Sequence, residues 1–311
     1  MEKVLITGGA GFVGSHLTDR LISDGYEVVV LDNLSSGKKE NVNPKAKFYK
    51  ADVVDENISK IFAKEKPDFV FHFAAHIEAR VSVQNPLADA KTNILGSLNV
   101  LENCRAHKVQ KVIFASSGGE VYGDAKQIPT PETYPPRPIS PYGVSKFAVE
   151  KYLDSYWQLF HLPYASLRFG NIYGPRQNPN GEAGVVAIFA KKMWNQEPVF
   201  IHGSGRQTKD YIFIDDAVDA TIKAFKKSFV GVVNIGTGKE TSVLEIFKAI
   251  KKLTGSATKK QHVPLPPTGF PRGALSVAKV KKELGWRPRY KFQEGLQITV
   301  RWFQANNPYD K

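Results

Sequence analysis

Cysteine is almost missing from this chain: Cys104 is the single one in 311 residues. That excludes an intramolecular disulfide and points to a reducing, cytoplasmic compartment. No apolar run approaches the roughly 18 residues needed to cross a bilayer. Residues 1–10 reach their glycines after a few apolar positions, so they read as neither a signal peptide nor a membrane span. There is no internal repeat, no low-complexity segment and no nucleic-acid motif, nor the aromatic and basic interleaving of a single-strand groove. Acidic residues are the scarcer charge, with 30 Asp and Glu against 43 Lys and Arg, a net charge of +13. The lysines are scattered in short pieces such as Lys38-Lys39, Lys226-Lys227 and Lys281-Lys282. That scatter reads as solvated helix faces, while the overall positive field suits an anionic nucleotide.

What is present is ordinary globular material, 42% hydrophobic and 23% charged, long enough to bury a core without staples. Lys3-Val4-Leu5-Ile6-Thr7, Glu27-Val28-Val29-Val30-Leu31, Phe69-Val70-Phe71-His72-Phe73 and Lys111-Val112-Ile113-Phe114-Ala115 read as buried parallel strands. Residues 15–23 and 93–106 carry helical spacing between them. Strand, helix and strand at these intervals predict a doubly wound parallel α/β sheet. Past residue 170 the texture changes: a loop at 173–181, an apolar helix at 185–194, strands at 211–214 and 232–236, and an irregular proline-rich stretch at 264–271. The expected organisation is a nucleotide-binding domain over 1–170, to which 211–240 returns. A smaller C-terminal α/β domain then comprises 171–210 and 241–311.

Gly8, Gly11 and Gly14 follow the first strand and open the first helix. Glycines there permit a tight turn and let backbone N–H groups reach a pyrophosphate at the positive helix end. Asp32 ends the second strand, where a carboxylate accepts hydrogen bonds from ribose hydroxyls and repels a 2′-phosphate, so the cofactor expected is NAD. Asn33, Leu34, Ser36 and Gly37 belong to a loop over the adenosine. Asp52, beside Val53, is placed either to meet the adenine amino group or to cap a helix.

Tyr142 and Lys146 stand at i and i+4, on one face of a helix. An ammonium beside a phenol, with the positive ring of nicotinamide nearby, lowers the phenol pKa toward usable tyrosinate. The same spacing also occurs in plain helices. Here it accompanies Ser116-Ser117-Gly118-Gly119 at the carboxyl end of the fourth clear strand, where doubly wound sheets place ligands.

The glycine turn, His72-Phe73-Ala74-Ala75, Asn93, the serine-glycine segment, Tyr-x-x-x-Lys, Arg168-Phe169-Gly170-Asn171 and Leu284-Gly285-Trp286 together resemble extended short-chain dehydrogenase/reductases over nearly the whole chain. Within that Rossmann-fold superfamily the sequence is most similar to UDP-glucose 4-epimerases. The resemblance implies NAD contacts by Gly8, Gly11, Phe12, Val13, Gly14, Asp32, Asn33, Leu34, Ser36, Gly37, Asp52, Val53, Phe73, Ala74, Ala75, Asn93, Ser116, Tyr142, Lys146 and Phe169. It implies that Tyr142 takes the proton from a sugar 4-hydroxyl, that Ser117 relays it, and that hydride leaves C4 for NAD and returns to the other face of a rotated 4-keto sugar. UDP-galactose and UDP-glucose are the implied substrates. The UDP-sugar contacts it implies are Ser117, Tyr142, Asn171, Val185, Phe200, Arg206, Lys209 and Arg272. A homodimer is implied too, and Val149, Leu153 and Tyr156 suit either its interface or the core.

The match has departures. Lys209 stands where the family has an arginine before Asp-Tyr, a point charge in place of a planar fork. The family's second diphosphate arginine falls in the stretch 266–269, which leaves Arg272 and Arg206 as substitutes. Glu120 matches a glutamate of 4,6-dehydratases and UDP-glucuronate decarboxylases, but Gly119 replaces the dehydratase acid; Glu120 is either catalytic or a charge at the domain seam. His76 is assigned no role. Gly273 leaves room for an N-acetyl group, so UDP-GlcNAc and UDP-GalNAc are expected alongside the glucose pair. A non-catalytic NAD(H)- or RNA-binding protein is the alternative of another class, against which all of Ser117, Tyr142 and Lys146 are retained.

Overall fold

Valine- and isoleucine-rich segments that alternate with helices bury both faces only as a parallel sheet between helical layers. The computed structural model, which describes residues 1–180, 184–265 and 271–306, has that arrangement. In chain order the first part runs β1 (Lys3–Thr7), α1 (Phe12–Ser23), β2 (Glu27–Asp32), β3 (Lys47–Lys50), α2 (Ile58–Glu65), β4 (Phe69–His72), α3 (Ala79–Gln84), α4 (Pro86–Ala90), a π-helical turn (Lys91–Leu95), α5 (Gly96–Ala106), β5 (Lys111–Ser117), α6 (Gly118–Tyr122), α7 (Pro141–Phe160) and β6 (Tyr164–Phe169). Then follow β7 (Asn171–Tyr173), α8 (Val185–Trp194), β8 (Val199–His202), β9 (Thr208–Lys209), β10 (Tyr211–Phe213), α9 (Ile214–Lys226), β11 (Gly231–Ile235), β12 (Thr241–Ser242), α10 (Val243–Thr254), β13 (Lys260–Val263), α11 (Ala278–Leu284) and α12 (Phe292–Ala305).

Seven strands form the main sheet in the order β11-β6-β5-β4-β1-β2-β3, all parallel. The strand order reverses between β1 and β4. That is the switch point outside whose carboxyl ends a doubly wound sheet opens a crevice. One apolar layer, with Leu5, Val29, Val70, Val112, Leu153 and Tyr164, packs between the sheet and α2, α5 and α7. The opposite layer includes Ile6, Val30, Ile113 and Leu167, and it continues into α8, α10 and α12. Val149, Leu153 and Tyr156 are buried in these layers, so they belong to the core and not to an exposed interface.

Patterning leaves β6 unmarked, because its sequence Tyr-Ala-Ser-Leu-Arg-Phe breaks the apolar run with Ser166 and Arg168. Both are fully buried all the same, since Glu150 on α7 accepts hydrogen bonds from each. The parallel pair β8–β13 and the short pairs β7–β10 and β9–β12 lie outside the main sheet. No described helix is long and apolar enough to cross a membrane.

Candidate active site

The crevice at the switch point opens into a cleft of roughly 720 Å³, within the size range of small-molecule and cofactor sites. Its first arm begins at the glycine turn. Gly8 has φ +72°, and a Cβ there would stand 2.6 Å from the Ala74 nitrogen; a Cβ on Gly14 would stand 2.1 Å from the Gly8 carbonyl oxygen. Only glycine lets strand, turn and helix close this tightly, which brings the start of α1 to the cleft floor with Phe12 and Val13. Asp32 is buried: Oδ2 accepts the N–H of Ala10 at 3.0 Å and Oδ1 that of Leu34 at 2.8 Å. It fixes the turn and the next loop at once, and each oxygen keeps a lone pair for a ligand at the cleft edge. Asp52 accepts from Asn33 Nδ2 at 2.8 Å and from the N–H of Val54 at 3.1 Å, so it ties two loops together and caps no helix. Asn33, Ser36, Val53, Phe73, Ala74, Ala75, Ser116 and Phe169 line the same arm. A glycine turn at a helix start, followed by a carboxylate at the end of β2, fits a dinucleotide.

Three expected cofactor residues stand off the cleft. Leu34 adopts the left-handed region at φ 61° and faces Asp32 with its N–H. Gly37 packs against Ala10. Asn93 is buried in the π-helical turn, where Oδ1 accepts the N–H of His76 and Nδ2 donates to the His76 carbonyl and to Asp89. Asn93 shapes the wall behind the cleft by holding His76, which lines it.

At the centre, Ser140 caps α7 by accepting the N–H of Gly143, with Pro141 at the first helical position. Tyr142 and Lys146 then face the cleft together, with the lysine nitrogen 5.8 Å from the tyrosine ring centre. Lys146 Nζ donates to the Ala115 carbonyl at 2.9 Å, and burial lowers its pKa to about 8 against the opposing charges of Asp89 and Glu150. Burial raises the Tyr142 hydroxyl above the ordinary phenol range, with Glu120 and Asp89 adding to the rise and a hydrogen bond to Ser117 opposing it. The expected lowering, which called on the lysine and a second cation together, is not present with the lysine alone; burial and the two carboxylates set the direction. The other cation of that expectation is the nicotinamide ring.

Glu120 lines the cleft beside Ser117 and Tyr142. Its Oε2 accepts from Ser140 Oγ at 2.8 Å, and burial raises its pKa. It is an acid of the cleft, with the Lys209 charge opposing the rise. The second arm is bounded by Asn171, Val185, Phe200 and Lys209. Burial lowers the Lys209 pKa to about 7, against the opposing charge of Glu120. Arg206 is exposed and off the cleft, and Arg272 forms a bidentate pair with Glu240 and borders only a small side cavity, along with Gly273. Sequence reasoning missed Arg80, Lys192, His202 and Gln207, which also line the cleft. The one signal for Arg80 is its place just after the carboxyl end of β4.

Residues 4–236 match the model of the NAD dependent epimerase/dehydratase family. The putative UDP-glucose 4-epimerase of Methanocaldococcus jannaschii is 42% identical, over 98% of this chain and 99% of that protein. A UDP-glucose 4-epimerase from Thermotoga maritima, solved with UDP-glucose, superposes with a TM-score of 0.96 at 46% identity, over 97% of this chain and 99% of the other. A Thermus thermophilus UDP-glucose 4-epimerase in complex with NAD gives 0.95 at 42%, over 98% and 99%. Such likeness across whole chains agrees with the cleft geometry: the chain belongs to the NAD dependent epimerase/dehydratase family.

Proposed function

We propose that this protein is an isomerase that interconverts the C4 epimers of a UDP-hexose, UDP-galactose and UDP-glucose, with NAD as a resident cofactor. The observation that carries the reading is the convergence of Ser117, Tyr142 and Lys146 midway along one cleft, between the glycine turn and the walls of α8 and β8. NAD would be held by the glycine turn at Gly8, Gly11 and Gly14 and by Asp32, and would supply reversible hydride acceptance from sugar C4. Tyr142 takes the proton of the 4-hydroxyl and returns it after the 4-keto sugar turns over. Ser117 bonds the Tyr142 oxygen and passes that proton. Lys146 holds the cofactor ribose and adds positive charge beside the phenol. Asn171, Val185 and Phe200 receive the nucleotide. The division of labour follows the chain: 1–170 with 211–240 for the cofactor, and 171–210 with 241–311 for the nucleotide sugar.

A second reading, a 4,6-dehydratase or UDP-glucuronate decarboxylase, draws on Glu120, an acid with a raised pKa in the cleft. Elimination also requires an acid at position 119, and glycine stands there. The absence of a side chain at Gly273, beside the small side cavity, is the basis for testing UDP-GalNAc as well. A second copy of this chain is the proposed partner: Val81, Leu87, Leu95, Val144 and Leu159 are exposed on α3, α4, the π-helical turn and α7, which pack side by side. The lone, buried Cys104 suits a cytoplasmic setting.

The test incubates purified protein with UDP-galactose, and separately with UDP-GalNAc and UDP-glucuronate, without added NAD. UDP-glucose forms from UDP-galactose, and Tyr142→Phe abolishes its formation. A keto sugar or a pentose in place of an epimer would favour the second reading. No product from any of the three would remove the assignment.

A further inference from the structure

The arginines that sequence position offers for a diphosphate do not reach the cleft. Arg206 is exposed and off the cleft, and Arg272 is engaged with Glu240 through Nε at 2.9 Å and Nη2 at 2.5 Å. Among the described residues, Arg80 is the one arginine that lines it. Arg80 lies on α3, two residues before Ser82, whose Oγ accepts the backbone N–H of Tyr142 at 3.1 Å. That bond fastens α3 to the reacting end of the cleft.

Across the cleft, β8 presents Phe200 and His202, alternate residues of one strand and so on one face of it. Nη1 of Arg80 stands 3.5 Å from Nε2 of His202, and Nδ1 of His202 stands 3.2 Å from the Pro264 carbonyl oxygen. With Nδ1 donating to that carbonyl, Nε2 is left to accept from the guanidinium. Arg80 thus spans the interval between Tyr142, where the sugar reacts in the proposed function, and Phe200, where the base is received. In a nucleoside diphosphate sugar that interval is filled by the diphosphate.

Resting on the UDP-sugar reading, we propose that Arg80 is the residue that grips the substrate diphosphate, exchanging its contact with His202 for the phosphate oxygens. A guanidinium offers a planar fork to phosphate, and a charge-assisted bond to an anion is stronger than one to a neutral imidazole. Lys209 adds a point charge from β9, and its ammonium is weakened near neutral pH by burial.

The experiment titrates UDP and uridine separately into the NAD-loaded protein by calorimetry, for wild type, Arg80→Gln, Arg80→Lys and Arg272→Gln. Arg80→Gln weakens UDP binding by roughly tenfold or more and leaves uridine binding within about twofold. Arg80→Lys falls between, since charge returns without the fork. Arg272→Gln costs less than Arg80→Gln. Bound NAD and a circular dichroism spectrum show that each variant is folded. UDP binding unchanged in Arg80→Gln, an equal loss for uridine and UDP, or a larger loss in Arg272→Gln would each overturn the assignment of Arg80 while leaving the UDP-sugar reading in place. Wild type that binds no UDP would overturn both.

Discussion

Glu150 receives Nε and Nη2 of Arg168 at 2.9 and 2.6 Å, with the two side chains only 3% and 5% exposed. The same carboxylate accepts from Ser116 Oγ at 2.6 Å and Ser166 Oγ at 3.3 Å. Glu150 therefore bolts α7, which carries Tyr142 and Lys146, to β5 and β6. Ser116 immediately precedes Ser117, so this network sets how the serine end of β5 meets the tyrosine. The guanidinium also lies over the Tyr122 ring, 4.7 Å from its centre.

Removing one partner of a buried pair strands the other charge. Glu150→Ala is expected to destabilise the fold by about 3–5 kcal/mol, read as a lower urea midpoint. Replacing Glu150 and Arg168 together with methionines costs less than Glu150→Ala alone, because no bare charge remains. A double variant that loses more than Glu150→Ala would contradict this account.

Lys146 sets a limit on activity at alkaline pH. Its ordinary value of 10.5 is lowered to about 8 by burial, so the folded protein loses the ammonium as pH rises through about 8. The unfolded chain keeps that proton up to 10.5, so this group's contribution to stability rises across the interval while activity falls. Facing it are Tyr142 and Glu150 on α7, Asp89 on α4, and His72 on β4, which burial keeps neutral with a pKa of about 3. Asp89 props the lysine up, so Asp89→Asn is expected to move the alkaline limb of kcat/KM to lower pH. A pH–rate profile checks this, and a limb that stays in place would refute the role of Asp89.

Asp32 holds two backbone N–H groups and lines the cleft. Asp32→Ala leaves the N–H groups of Ala10 and Leu34 without their acceptor, a cost of about 1–3 kcal/mol. It also removes the charge that disfavours a 2′-phosphate. The expected outcome is a lower melting temperature, less NAD retained through purification, and a narrower preference for NAD over NADP. Thermal unfolding and chromatography of the released cofactor measure all three. Full NAD retention in the variant would argue that the carboxylate serves the backbone alone.

The sequence by itself determined what depends on residues near one another in the chain. The strand, glycine turn and helix at 3–23, the acid at the end of β2, the serines at the end of β5, and the Tyr142–Lys146 face of α7 all follow from local spacing and backbone geometry. Tertiary structure decided everything that depends on a distant partner. Arg168 and Ser166 read as strand breakers until Glu150 satisfies them. Asn93 turns inward because His76 and Asp89 meet its amide. Arg272 turns from the cleft to Glu240, 32 positions away in the chain. Arg80 enters the cleft because α3 is pinned at Tyr142. Even the Tyr142 hydroxyl, whose lysine neighbour is plain in the sequence, takes its proton affinity from burial and from Glu120 and Asp89. Hydrogen bonds, ion pairs and desolvation act through space at a few ångströms, and only the folded chain brings those groups that close.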